Sequence, residues 1–123
     1  MDYNKLEVWV EARKLTNLVY EFSKVFPKEE IYGLTNQLRR CAVSIPSNIA
    51  EGCGRQTPKD TIRFLYISRG SLYELETQCY LALDQKYIKE IDFNEMFSQI
   101  QTCKKLLNGF IIIKSCYDCR RNQ

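Results

Sequence analysis

The chain has 123 residues, 45% of them apolar and 27% charged, with a formal net charge of +3. These proportions fit one globular domain with an adequate core and exclude a disordered chain. Histidine is absent, no secretory leader is expected ahead of the cysteines, and no apolar run reaches the ~20 residues that span a bilayer. The expectation is a cytoplasmic protein with reduced thiols and no membrane segment.

The spacing predicts helices at about 6–26, 31–52, 58–86 and 92–119. In the first, Leu6, Trp9, Ala12, Leu15 or Thr16, Val19, Phe22 and Phe26 recur at three- and four-residue steps as one apolar stripe. Pro27 ends it, because the ring clashes with the preceding turn and offers no N–H. Glu29 and Glu30 stand at the positive end of the second helix. Its buried stripe is Leu34, Leu38, Cys41 with Ala42, Ile45 and Ile49, edged by Asn48.

Pro46 falls inside this pattern. Either the helix breaks there, or it continues with a kink and leaves the Ala42 carbonyl without its usual donor. Helical spacing resumes at Ile49, which favours a kinked continuous helix, with Ser44 and Ser47 placed to bond freed backbone groups. Gly52 and Gly54 supply the stop, in the left-handed conformation that glycine accepts.

Thr57 suits an N-cap, Pro58 the first helical position and Asp60 an acidic first turn. The third helix then carries a heptad-like seam of Leu65, Ser68, Leu72, Leu75, Cys79 and Ala82, widened by Phe64, Ile67 and Leu81. Gly70 in mid-helix points to a close neighbouring helix. Asp92 and Glu95 resemble a capping box for the fourth helix, whose stripe is Phe93, Met96, Ile100, Cys103, Leu107, Phe110 and Tyr117. Phe97, Leu106 and Ile111 to Ile113 lie on other faces, a surplus that points to contact with another subunit. Short connections imply an all-α, up-down-up-down antiparallel four-helix bundle, one domain over 1–123.

No catalytic constellation accompanies the helices. Without histidine, a glycine-rich phosphate loop or a nucleophile–base pair, the chain is not expected to be an enzyme or to need a cofactor. Cys116 and Cys119 form a C-x-x-C, but zinc takes about four ligands and no second pair stands at suitable spacing. Glu51 sits unfavourably at a helix C-terminus, where Arg55 or another helix could offset it.

Charge is unevenly spread. Arg39 to Arg69 holds Arg39, Arg40, Arg55, Lys59, Arg63 and Arg69 against Glu51 and Asp60; Lys104 to Arg121 holds five cations against Asp118. If Arg40, Arg55, Lys59, Arg63 and Lys104 or Lys105 converge, they form a phosphate-contacting surface. Arg39 and Arg40 face different directions, so at most one lies near the core edge. A solvated charged face is the plain alternative.

QLRRCAVSIPSNIAEGCGR at 37–55, with VWVEARKL and FPKEEIYGL before it and FLYISRGSLYELETQCYLAL after it, resembles a known family. This is the four-helix-bundle family of proteins encoded in intervening sequences of bacterial 23S ribosomal RNA. A related branch is the accessory variability protein of diversity-generating retroelements. The motif positions Arg39, Arg40, Ser44, Pro46, Asn48, Glu51, Gly52 and Arg55 are all present. The resemblance implies a ring-like homopentamer. In the retroelement branch it implies binding of nucleic acid and a reverse transcriptase through a basic surface; in the ribosomal branch it implies no established activity. The expected function is a non-enzymatic homo-oligomeric bundle that binds RNA or DNA weakly. The alternative is a protein-interaction scaffold with no direct nucleic-acid role.

Overall fold

The apolar stripes meet as four helices: α1 (Glu7–Ser23), α2 (Leu34–Cys53), α3 (Pro58–Asp84) and α4 (Glu90–Arg121). The structure, a computed structural model, describes residues 2–121; the side chain of Arg121, counted above among the cations, lies outside that description. Single 3-10 turns at Tyr3–Lys5 and Lys28–Glu30 precede α1 and α2, and no strand occurs among the described residues. Hydrogen bonds between neighbours run in opposite senses along each pair. Gly52 pairs with Thr61 and Ser44 with Ser71; Arg69 pairs with Asn108 and Glu76 with Lys104. Consecutive helices are therefore antiparallel, and α1 closes the square against α4, where Gln99 Nε2 donates to the Glu11 carbonyl at 3.0 Å. The result is an all-helical four-helix bundle.

The core is built from the stripes with three shifts. In α1 the buried line is Val8, Ala12, Leu15 and Val19, while Leu6, Trp9 and Phe22 flank it. α1 ends at Ser23, and Phe26 stays buried beyond the helix, 5.6 Å from the Tyr87 ring. In α3 the seam from Leu65 to Ala82 is buried as expected, but Ile67 and Leu81 face solvent. In α4, Ile111 completes the stripe, whereas Tyr117 is exposed.

Helix ends also differ from expectation. α2 begins at Leu34, and Glu30, one turn earlier, accepts the Leu34 N–H at 2.8 Å. The expected acidic start is thus a single carboxylate reaching back to an orphan donor. No glycine has positive φ. Gly52 lies within α2, and Gly54 caps it in a right-handed conformation. The left-handed residue is Lys86, φ 63°, just past α3. There Tyr87 N–H reaches the Ala82 carbonyl and Lys86 N–H the Leu83 carbonyl, both at 2.9 Å, a Schellman closure. Ile88 is then buried and α4 starts at Glu90, so Asp92 lies inside the first turn and does not form a capping box with Glu95.

α2 passes through Pro46 without ending. The Ala42 carbonyl takes its hydrogen bond from Thr16 Oγ1 on α1, at 3.0 Å. The flanking serines do not serve it: Ser44 Oγ bonds the Cys41 carbonyl at 2.8 Å and Ser71 Oγ at 2.6 Å. A neighbouring helix repairs the break that proline makes, which is why α2 can tolerate it.

α2 and α3 approach closely where their facing residues are small. Thr61 Oγ1 donates to the Gly52 carbonyl at 2.8 Å and Ser68 Oγ to the Ile45 carbonyl at 2.6 Å. A Cβ on Gly52 would stand 3.1 Å from both Phe64 Cβ and the Thr61 carbonyl oxygen. The close approach expected at Gly70 is absent: a Cβ there would meet nothing within 4 Å.

α4 has 32 residues and α1 has 17, lengths of about 48 and 26 Å. Gln99 is level with Glu11, so the last turns of α4 outrun the start of α1 and keep α3 beside them. This accounts for the surplus apolar residues: Ile112, Ile113 and Tyr117 are 64%, 54% and 53% exposed.

Candidate nucleic-acid interface

The turn from α2 into α3 fixes the first group of cations. Thr57 Oγ1 accepts the Asp60 N–H at 3.2 Å, and Pro58 opens α3. With the helix start fixed, Lys59 and Arg63 lie four residues apart on one face. Arg55 lies across from them. It bonds Glu51 at 3.2 Å, lies 3.8 Å from Asp60, and stacks over the Phe64 ring at 4.5 Å. Arg63 stacks on the same ring at 5.0 Å and bonds Asp60 at 2.9 Å. These ion pairs are solvent-exposed and contribute little to stability, so their consequence is to hold two guanidiniums in place. Arg55, Lys59, Arg63, Ile62 and Tyr66 line an open cleft of about 880 Å³.

A second cleft, of about 810 Å³, lies between α3 and the end of α4. Tyr66, Arg69, Asn108, Ile112, Cys116 and Arg120 line it. Arg69 bonds Asn108 Oδ1 at 3.3 Å and lies 4.7 Å over the Tyr66 ring. Lys59, Arg69 and Arg120 make no ion pair among the described residues.

The remaining sequence candidates lie elsewhere. Arg40 is exposed fifteen residues before Arg55, about 22 Å along α2. Arg39 is half-buried, donating to Ser23 Oγ at 2.9 Å and stacking over Tyr20 at 4.9 Å, which makes it a tie between α1 and α2. Lys104 is bonded to Glu76 at 2.8 Å in a largely covered setting and lies 4.1 Å over Tyr73. Lys105 is exposed and lines neither cleft. The cations therefore divide along the bundle and do not form the single surface that their order in the chain suggested. Tyr66 was overlooked in the sequence. Its place, three residues after Arg63 and three before Arg69, is the signal that would have found it.

Of the motif residues, Ser44, Pro46 and Gly52 serve helix packing as described, Asn48 Nδ2 donates to the Ser44 carbonyl at 2.7 Å, and Glu51 pairs with Arg55. Burial pushes the thiols of Cys41, Cys79 and Cys103 up to about 12, helped by Glu74 at Cys41, by Cys41 and Glu76 at Cys79, and by Glu11 at Cys103. Such thiols are poor nucleophiles and poor metal ligands. Cys116 and Cys119 are exposed on α4, and no group of three or more acidic, cysteine or histidine side chains suited to a metal occurs among the described residues.

The sequence profile described as "23S rRNA-intervening sequence protein" matches residues 4–109. The chain belongs to that family. The match covers α1 to α3 and α4 as far as Gly109, and stops near where α4 outruns α1. No curated protein matches the chain. Among solved structures, it is similar to a protein of unknown function from the S23 ribosomal protein family of Bacteroides thetaiotaomicron. The TM-score is 0.78 at 22% identity, over 85% of this chain and 97% of that one. That likeness is one of fold: the solved protein shares the four-helix architecture seen here. No helix among the described residues is long and apolar enough to cross a membrane.

Proposed function

We propose that the protein is a non-enzymatic homo-oligomeric bundle that binds RNA or DNA phosphates through the basic end of the bundle. The observation carrying this reading is the gathering of Arg55, Lys59, Arg63, Arg69 and Arg120 around two adjoining clefts. Among the described residues, Asp60 and Glu51 form ion pairs with Arg55 and Arg63 alone. No base-reading helix-turn-helix or sheet accompanies the cations, so the contact is charge- and shape-driven. Its strength should fall steeply as salt rises, because each neutralised phosphate releases counterions. Titration of labelled structured RNA and duplex DNA at low and raised salt tests this. Binding that weakens with salt, and weakens further in Lys59→Glu with Arg63→Glu, is expected. No binding at low salt refutes the reading.

Self-association is carried by the end of α4. Ile113 and Tyr117, one turn apart, are exposed beyond the start of α1, and a second copy would cover them. The family resemblance implies a pentamer, and in the retroelement branch a reverse transcriptase as further partner. Light scattering should give a multiple of the 14.5 kDa chain. A monomer at micromolar concentration refutes self-association. The same exposed face supports the second reading, a protein-interaction scaffold. There, charge reversal at Arg40 and Arg63 alters oligomeric mass or partner capture and leaves nucleic-acid retention unchanged.

A further inference from the structure

Tyr66 stands between the two basic clefts and lines both. Tyr66 is 48% exposed, and five cationic residues line one or other of the two clefts it borders. On one side are Arg55, Lys59 and Arg63; on the other are Arg69 and Arg120. Arg69, 4.7 Å from the ring centroid, covers part of it and restrains it. A restrained aromatic ring with cations on two sides has the elements of a single-strand site: a platform for a base, and charge for the phosphates before and after it. A duplex keeps its bases stacked inside and offers such a ring nothing to stack on, whereas an unpaired base does.

We propose that Tyr66 is the base-stacking platform of a single-stranded nucleic-acid site whose flanking phosphates lie in the two clefts. The proposal rests on the nucleic-acid reading above and narrows it to unpaired strands. The site is centred on Tyr66 and does not extend along α3. Tyr73, one heptad on and also half-exposed, has a lysine over its ring, but that Lys104 is held by Glu76, and Glu74 adjoins the tyrosine. Those two carboxylates repel phosphates, so the second ring lacks the charge that the first has.

The test is fluorescence anisotropy with a labelled unstructured oligonucleotide of about a dozen nucleotides, typical of single-strand site sizes, and with a duplex of equal length. Tyr66→Leu keeps an apolar helix-forming side chain and removes the ring. It is expected to weaken single-strand binding by about tenfold or more and to change duplex binding little. Tyr66→Trp, with a larger ring, should bind the single strand at least as tightly, and Tyr73→Leu should match the unaltered protein. Circular dichroism and light scattering confirm that each variant keeps its helicity and mass. Equal single-strand affinity of Tyr66→Leu and the unaltered protein, or preference for the duplex, overturns this inference and leaves the basic-surface reading standing. Failure to bind either nucleic acid at low salt overturns both.

Discussion

Thr16 should be energetically coupled to Pro46, thirty residues away, because its hydroxyl supplies the hydrogen bond that proline cannot. Thr16 Oγ1 lies 3.0 Å from the Ala42 carbonyl and 3.0 Å from the Ala12 carbonyl. A hydroxyl has one proton, and the Ala12 carbonyl sits in α1, where the backbone N–H of Thr16 serves it. The Ala42 carbonyl has no such donor, since residue 46 has no N–H, and Ala42 is fully buried. Thr16→Val preserves shape and leaves that carbonyl unpaired, so it should cost about 2 kcal/mol. At a typical urea dependence this lowers the unfolding midpoint by about 1 M. In a Pro46→Ala background the alanine N–H can bond Ala42, and Thr16→Val should then cost about 0.5 kcal/mol. The expected coupling is about 1.5 kcal/mol, well above the ~0.5 kcal/mol within which independent sites add. All four proteins are compared at one concentration, because self-association shifts apparent stability. If valine costs the same in both backgrounds, the hydroxyl does not repair the proline gap and the argument fails.

Three further outcomes follow from the fold. Lys86 holds a left-handed conformation that costs a side-chain-bearing residue about 1 kcal/mol, so Lys86→Gly should raise stability by about that amount; a loss in chemical denaturation would contradict the Schellman geometry. Gly52→Ala should destabilise by about 1–3 kcal/mol, because its Cβ would press on Phe64 and Thr61, while Gly70→Ala should stabilise by up to about 1 kcal/mol; thermal melts that rank the two variants the other way would refute the helix spacing. The thiols of Cys41, Cys79 and Cys103 ionise near pH 9 when unfolded and are raised to about 12 in the fold. The native state therefore binds more protons over that interval. Stability is full below about pH 9 and falls above it, by about 1.4 kcal/mol per pH unit for each thiol. Cys103→Ala should reduce that alkaline slope by one thiol's share, and an unchanged slope in denaturation at about pH 9.5 to 11 would sink the assignment.

Much of the bundle was legible in the sequence because it is local. The α2 stripe from Leu38 to Ile49, the α3 seam and the Thr57–Pro58 start depend on spacing and on residues within a few positions, which the chain states directly. Three of the departures, at Gly70, Gly52 and Pro46, have one cause: each depends on what another helix supplies or leaves empty. Gly70 looked like a contact and has no neighbour, while Gly52 looked like a stop and has Phe64 against it. Pro46 was expected to be eased by adjacent serines, but a hydroxyl on α1 reaches the carbonyl it frees.

The candidate site divides in the same way. Sequence order determined that Arg55, Lys59 and Arg63 would be near one another, since a capped helix start sets their spacing. It could not show that Lys104 is held by Glu76 twenty-eight positions away, or that Arg39 is turned onto Tyr20 and Ser23. Nor could it place Arg120 and Tyr66 on one cleft, because antiparallel packing of α3 and α4 alone brings them there. The sequence by itself determined the family, through the motif at 37–55 and the profile match over 4–109; it also determined the helices and most of their apolar faces, because these follow from periodicity and nearby residues. Only the tertiary structure decided which cations are held in ion pairs and which line the clefts beside Tyr66, because charge pairing and stacking act through space between helices remote in the chain.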